Sequence, residues 1–219
     1  MMVAREQFET DLKHIKEDIM ALSNMAVNAL REAVDALYNQ DITLAREVID
    51  KDRAVDKQEH TINDQTILLI AKQQPVATDL RRLVIALQIT ADIERMADNA
   101  KNIAKSTLHL GEDHRLTVHP RIKDMRDMAI DMNQTAMRAF QYDDISIARK
   151  LSEMDDEVDQ LYEMIIHDIL NETATNPEKI QYVMQMAFSA RYIERFADHI
   201  TNIGESIIYL VKGQSYKLN

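Results

Sequence analysis

The residues of this chain best equipped for chemistry are four acidic pairs: Asp52 and Asp56, Glu94 and Asp98, Asp155 and Asp159, Glu194 and Asp198. The two members of each pair stand four positions apart. On an α-helix that separation turns the second side chain only about 40° from the first, so both carboxylates address one small sector. Like charges so placed repel by roughly a few tenths of a kcal/mol in water, and by more where burial strips away solvent. Protonation, ion pairing or a shared multivalent cation relieves that repulsion. All-oxygen donor sets suit hard ions, namely Mg²⁺, Mn²⁺, Ca²⁺ or ferric iron, and bridging carboxylates would permit a polynuclear centre. Spacing alone does not choose among these outcomes, because Arg53, Arg95 and Arg195 stand beside the pairs and would equally well form surface ion pairs.

The pairs are duplicated. Ile93–Asn99 and Ile193–His199 are nearly the same seven residues at a shift of 100, and Asn102 and Ile103 recur as Asn202 and Ile203. Asp41–Arg46 matches Asp144–Arg149 at a shift of 103, which carries Asp52 and Asp56 onto Asp155 and Asp159. The change of shift predicts a three-residue deletion in the second repeat, between its second and third helices. Each half therefore owns two acidic pairs on two different helices. If those helices are neighbours, four carboxylates converge in each half.

Composition bounds the alternatives. Three Gly, three Pro, no Cys and no Trp in 219 residues describe an all-helical protein without disulfides, thiolate metal sites or a cysteine nucleophile. The formal charge of −11 argues against a grip on nucleic acid or anionic lipid and favours cations or basic protein surfaces. No segment has the apolar length of a signal peptide or membrane span, which predicts a soluble cytoplasmic protein. The seven His form no His-x-x-x-His pair, and none follows a Glu by three residues, as the di-iron carboxylate bundles require. His109, His114 and His119 read as solvated loop side chains. The thirteen Met, among them Met125, Met128 and Met132, read as adaptable core packing. No phosphate loop or nucleophile motif is present, which predicts no catalysis.

The elements that must position the acids follow from breakers and periodicity. Helices are predicted over 4–39, 42–73, 77–110, 120–141, 144–172 and 177–212. Pro75 and Pro177 mark turns, Pro120 a helix start, and Gly111 and Gly213 helix ends. Asp41 and Asp144 are expected N-caps. The predicted fold is two tandem, duplicated three-helix bundles of long antiparallel helices: residues 1–111, a linker over 112–117, and residues 118–214. The inward seam of the third helix reads Ile85, Ile89, Ile93, Ala97, Ala100, Ile103. Glu94 and Asp98 then continue the line of Leu80, Val84, Leu87 and Ala91 on an outer or groove face, while Asp52 and Asp155 fall on the apolar spacing of their own helices.

Asp79–Arg82, Asp92–Ala104 and Ala190–Glu205, together with the duplicated acidic pairs, resemble the PhoU family of phosphate-uptake regulators along nearly the whole chain. The resemblance implies a cytoplasmic, non-enzymatic negative regulator. It would couple the ATPase subunit of a phosphate ABC transporter to a sensor histidine kinase and meet the membrane only through protein partners; the long helical faces, apart from the resemblance, lead to the expectation of a homodimer. It also implies metal (Fe, Mn or Mg) at Asp52, Asp56, Glu94, Asp98, Asp155, Asp159, Glu194 and Asp198. Two further readings stand beside it: a carboxylate-rich storage or hydrolase bundle, and an accessory protein of a non-ABC phosphate transporter. One departure between the repeats, Lys105 against Glu205, is expected to make the two acidic sites unequal.

Overall fold

The computed structural model describes residues 2–111, 117–175 and 179–218. The expected 112–117 linker with His114, and the turn at Pro177, lie almost entirely outside them. The protein is all-α. Its elements are α1 (Met2–Asn39), α2 (Ile42–Gln73), α3 (Ala77–Leu110), α4 (Arg121–Tyr142), α5 (Ile145–Ala148), α6 (Lys150–Thr175) and α7 (Ile180–Lys212). None of the described helices is long and apolar enough to cross a membrane.

Local chemistry sets the boundaries. Asp41 opens α2 by accepting the Leu44 amide at 2.9 Å. Asp144 opens α5, accepting from the amides of Ser146 and Ile147 and from the Ser146 hydroxyl. Both are N-caps that satisfy otherwise orphaned donors. Gly213 closes α7 in the left-handed region, φ 70°, donating its N–H to Tyr209 O. Such a conformation costs glycine nothing sterically.

One helix differs from expectation. The segment predicted as continuous from 144 to 172 is interrupted at Arg149, which separates the four-residue α5 from α6. Arg149 itself keeps helical dihedrals, φ −65° and ψ −24°, and its N–H still donates to Ile145 O at 3.0 Å. Beside it α7 comes very close. A methyl group at Gly204 would stand 3.5 Å from Ala148 O and 2.6 Å from Leu151 Cδ1. The first repeat has Ala104 at the corresponding place.

The inward seams bury as the periodicity predicts. Ile19, Leu22, Ala33 and Ala36 of α1 and Ile85, Ile89, Ile93, Ala100 and Ile103 of α3 have no exposed surface. Met125 and Met132 are equally enclosed, filling core space between α4 and its neighbours. Helix α2 packs on α1 and α3, and α6 on α4 and α7, completing one bundle in each half.

The halves also share a core. Helix α3 lies antiparallel along α7: Arg81 Nη1 donates to Leu210 O at 3.1 Å, and His199 Nδ1 stands 2.9 Å from Asp92 Oδ1. Helix α1 lies antiparallel along α4. There Lys16 meets Asp143 at 2.8 Å, the Ser23 hydroxyl lies 3.0 Å from Asn133 Oδ1, and Arg126 reaches Asp35 at 2.8 Å. Each central helix thus meets its own duplicate, head to tail, with α2 and α6 on the flanks.

Candidate metal centre

Helices α2 and α3 are neighbours, as are α6 and α7, so each half brings its two acidic pairs to a common groove. In the first half, Asp52 is the anchored member. It occupies a buried position of α2 in register with Ala45 and Val55, and only 8% of its surface is exposed. Glu94 and Asp98 stand half-exposed across the groove on α3, and Asp56 is half-buried on α2. A fifth residue closes the arrangement. The Lys101 ammonium, one turn beyond Asp98, reaches Asp52 Oδ2 at 2.5 Å and also pairs with Asp98 Oδ1. It ties α2 to α3 with its own charge.

Electrostatics records this proximity. Burial raises the Asp52 carboxyl pKa; Lys101 opposes that rise, and the charges of Asp56 and Asp98 add to it. Glu94 is raised by burial and then by Asp98, with Asp56 and Glu59 contributing and Arg95 opposing. For Lys101, burial alone would lower the pKa, but its hydrogen bonds to Asp52 and Asp98 outweigh that and raise it. The partners respond differently to one contact: the ammonium is held charged, while burial of Asp52 outweighs what its single cation returns.

The second half places the equivalent acids similarly and compensates them differently. Asp155 is buried on α6 at 3% exposure, and Asp159, one turn on, faces solvent. Glu194 is buried at 8% exposure on α7, with Asp198 half-buried one turn later. Arg191 pairs with Glu194 Oε1 along the same helix, whereas Glu194 Oε2 is buried without a hydrogen-bond partner. Burial, then Asp198, push the Glu194 carboxyl up to about 7 against the pull of Arg191, with Asp159 and Asp155 adding. Asp198 is raised chiefly by burial, and Asp159, although exposed, is raised by the partial desolvation of its carboxyl and then by Asp155 and Asp156.

All eight acids thus stand within electrostatic reach of their own set. Among the described residues, however, no three Asp, Glu or His side chains are drawn together tightly enough to grip one ion directly. Donor type is the one feature that favours a hard cation: the sets are all oxygen and the buried Glu194 Oε2 lacks a donor, whereas in the first half Lys101 already lies between the helices.

Sequence reasoning overlooked Lys101 and Arg191. The signal existed: at the shift of 100 they stand opposite Thr201 and Ala91. The departure singled out instead does not act at the clusters. Glu205 accepts the backbone N–H of Leu218 at 2.8 Å and holds the C-terminal tail, while exposed Lys105 donates to Asn102 on its own helix at 3.2 Å. Of the histidines expected as solvated loop side chains, His119 differs, being half-buried and 3.3 Å from Asp168 Oδ2, while His109 is exposed but sits in the last turn of α3.

Comparison with known proteins decides the family. The PhoU domain profile matches twice, over residues 19–107 and 122–207. The chain belongs to the PhoU family. It is 32% identical over 218 residues to the phosphate-specific transport system accessory protein PhoU homolog of Clostridium acetobutylicum, covering 99% of this chain and 100% of that one. It is also 32% identical to the phosphate-specific transport system accessory protein PhoU of Escherichia coli, covering 96% and 88%. The fold agrees. The crystal structure of PhoU from Pseudomonas aeruginosa superposes with a TM-score of 0.88 at 27% identity, covering 94% of this chain and 100% of that one. The phosphate transport system regulatory protein PhoU from Streptococcus pneumoniae superposes with a TM-score of 0.89 at 27% identity, covering 96% and 99%. This PhoU chain therefore shares its architecture with accessory, regulatory proteins.

Proposed function

We propose that this protein is a cytoplasmic negative regulator of phosphate uptake and of the phosphate-starvation response. It acts as an adaptor between the ATPase subunit of a phosphate ABC transporter and a sensor histidine kinase, and reaches the membrane only through those partners. The observation that carries this reading is full-length similarity, across both repeats, to accessory proteins of phosphate-specific transport systems. The molecule's surface suits an adaptor. Large apolar side chains stay exposed near the bundle ends, Val76 and Leu80 on one half and Ile180 and Met184 on the other, where a protein partner would cover them. The long helices carry these ends at the tips of the bundles.

Metal belongs to this proposal. Asp52, Asp56, Glu94 and Asp98 would hold a hard cation in the first half, and Asp155, Asp159, Glu194 and Asp198 in the second. A bound ion would neutralise clustered carboxylates and clamp neighbouring helices. Buried Asp52 and Asp155 fix one side of each groove, while Glu194 and Asp98 supply donors from the opposite helix.

The test is a deletion strain of the source organism carrying an alkaline phosphatase reporter. Loss of the protein is expected to derepress the reporter in high phosphate, and re-expression to restore repression. Repression that survives the deletion rejects the regulatory role.

A further inference from the structure

A cavity of about 270 Å³ lies between α1 and α2, with Ala97 of α3 at its inner end. Its wall is mostly apolar: Met25 and Ala29 of α1, Val48 and Val55 of α2. The buried polar group on that wall is the Asp52 carboxylate, which already holds the Lys101 ammonium. At the outer edge the exposed Lys51 ammonium of α2 meets the Glu32 carboxylate of α1 at 2.9 Å, reaching from one helix to the other. Both carboxylates that line the cavity thus have a cation of their own. The duplicate half fills the corresponding places with apolar side chains. At the shift of 103, Ala29 corresponds to Met132, Val48 to Leu151 and Lys51 to Met154. Met132 and Leu151 have no exposed surface, and Met154 lies against the core. Protein interiors pack to the density of organic crystals, and the second repeat approaches that density with its own thioethers and methyls. The first repeat, with a single methyl at Ala29 and an exposed ammonium at Lys51, leaves room for atoms from elsewhere.

We propose that this cavity binds a small neutral aromatic molecule of about the size of indole, carrying one hydrogen-bond donor. Roughly 150 Å³ of apolar cavity accepts benzene, so 270 Å³ accommodates a second fused ring. The rings lie against the methyls of Ala29, Val48, Val55 and Ala97, and Met25 offers the thioether contact that aromatic rings favour. The donor goes to Asp52, because an ionised carboxylate offers about four lone-pair sites, more than one ammonium uses. A charged ligand is disfavoured: with both lining carboxylates already balanced, its charge would stand between the helices uncompensated. The Lys51–Glu32 pair also selects a free small molecule over a side chain borne by a folded partner, since it crosses the mouth that the partner's backbone would have to cover. The inference goes beyond the regulatory and metal readings and depends on neither.

The experiment titrates indole into the full chain, isotope-labelled at its methionine methyls, and follows the spectrum by nuclear magnetic resonance. The Met25 signal is expected to shift and saturate with a dissociation constant of about 0.1 mM. The signal of Met128, its counterpart in the second repeat, is expected to stay in place. Ala29→Met, which installs the second repeat's residue, is expected to weaken binding about tenfold or more by filling the space. If that variant does not fold, Val48→Leu makes the same test at smaller amplitude. Benzothiophene, an isostere of indole without its N–H, is expected to bind about tenfold more weakly, and the ammonium analogue tryptamine more weakly than indole. No saturable shift at Met25, equal shifts at Met25 and Met128, or undiminished binding by the folded variant overturns the proposal. Benzothiophene binding as tightly as indole overturns the part given to Asp52, and tryptamine binding more tightly overturns the neutral ligand. N-acetyltryptophanamide, which presents the same rings with backbone attached, is expected to bind more weakly than indole; equal or tighter binding assigns the cavity to a partner's tryptophan and overturns the small-molecule reading. The phosphatase reporter tests the regulatory role independently of all these results.

Discussion

Glu194 sits in surroundings that oppose its charge. Burial and three neighbouring carboxylates lift its pKa from the ordinary 4.5 to about 7. Between those values the folded, metal-free protein binds a proton that the unfolded chain has already released. Its contribution to stability is therefore full below pH 4.5 and is lost as pH rises through 7. Glu194→Gln abolishes that dependence. In the presence of chelator, its stability relative to wild type is expected to improve by about 2 kcal/mol between pH 5 and pH 8, read from urea unfolding at the two values; equal changes in both proteins would refute it. Lys101 makes the opposite case. Removing its charge by Lys101→Met strands buried Asp52, so a loss of about 2–4 kcal/mol is expected at neutral pH, with Asp52→Asn in the same background recovering much of it. At this scale the sequence was half legible. Carboxylates at a spacing of four announce themselves through helical geometry. Their counterions do not, because Lys101 finds Asp52 only after α2 and α3 have docked.

Among the elements, the α5–α6 break and the glycine beside it belong together. Helix α7 presses so near this segment that the Gly204 position tolerates no methyl without displacing Leu151 and Leu218. Leu218 belongs to the C-terminal tail, which is held by its N–H to Glu205 and by the Ser152 hydroxyl to Leu218 O at 2.7 Å. Gly204→Val is expected to lower stability by about 2 kcal/mol through overpacking and to free the tail, seen as faster amide exchange at Leu218. The corresponding Ala104→Gly in the first repeat should cost only about 1 kcal/mol, the ordinary helix penalty, and leave the tail protected. A wild-type exchange rate in Gly204→Val would contradict this account. Caps, breakers and apolar stripes made six helical segments readable from residue types. The interruption at Arg149 was not, since it lies beside a close approach of α7, a helix some fifty positions away in sequence.

For the whole molecule, the governing feature is the pair of seams α1–α4 and α3–α7. They carry buried hydrogen bonds between halves, such as Ser23 with Asn133, and contacts such as Asp92 with His199 and Asn202. The two repeats are therefore not beads on a string. Unfolding is expected to be one cooperative transition, with helix content and the tyrosine signal of the second half lost together. Two resolved steps would mean that the halves are energetically separate. Periodicity could foresee two bundles, but not that their inward faces continue into one another, because a stripe wide enough for its own bundle looks much like one shared between two.

Those seams join like to like in reverse orientation, the arrangement by which two identical subunits related by a dyad would bury a common face. The molecule is thus internally what a pair of half-length chains would be externally, with the connecting segment replacing diffusion. A polypeptide of residues 1–111 alone bares the sides of α1 and α3 that α4 and α7 normally cover. It is expected to run in light scattering as a pair, its two α3 helices antiparallel, rather than as a solitary folded half. In the full chain the tether frees each half to diverge, and Lys101 opposite Thr201 is a trace of that freedom.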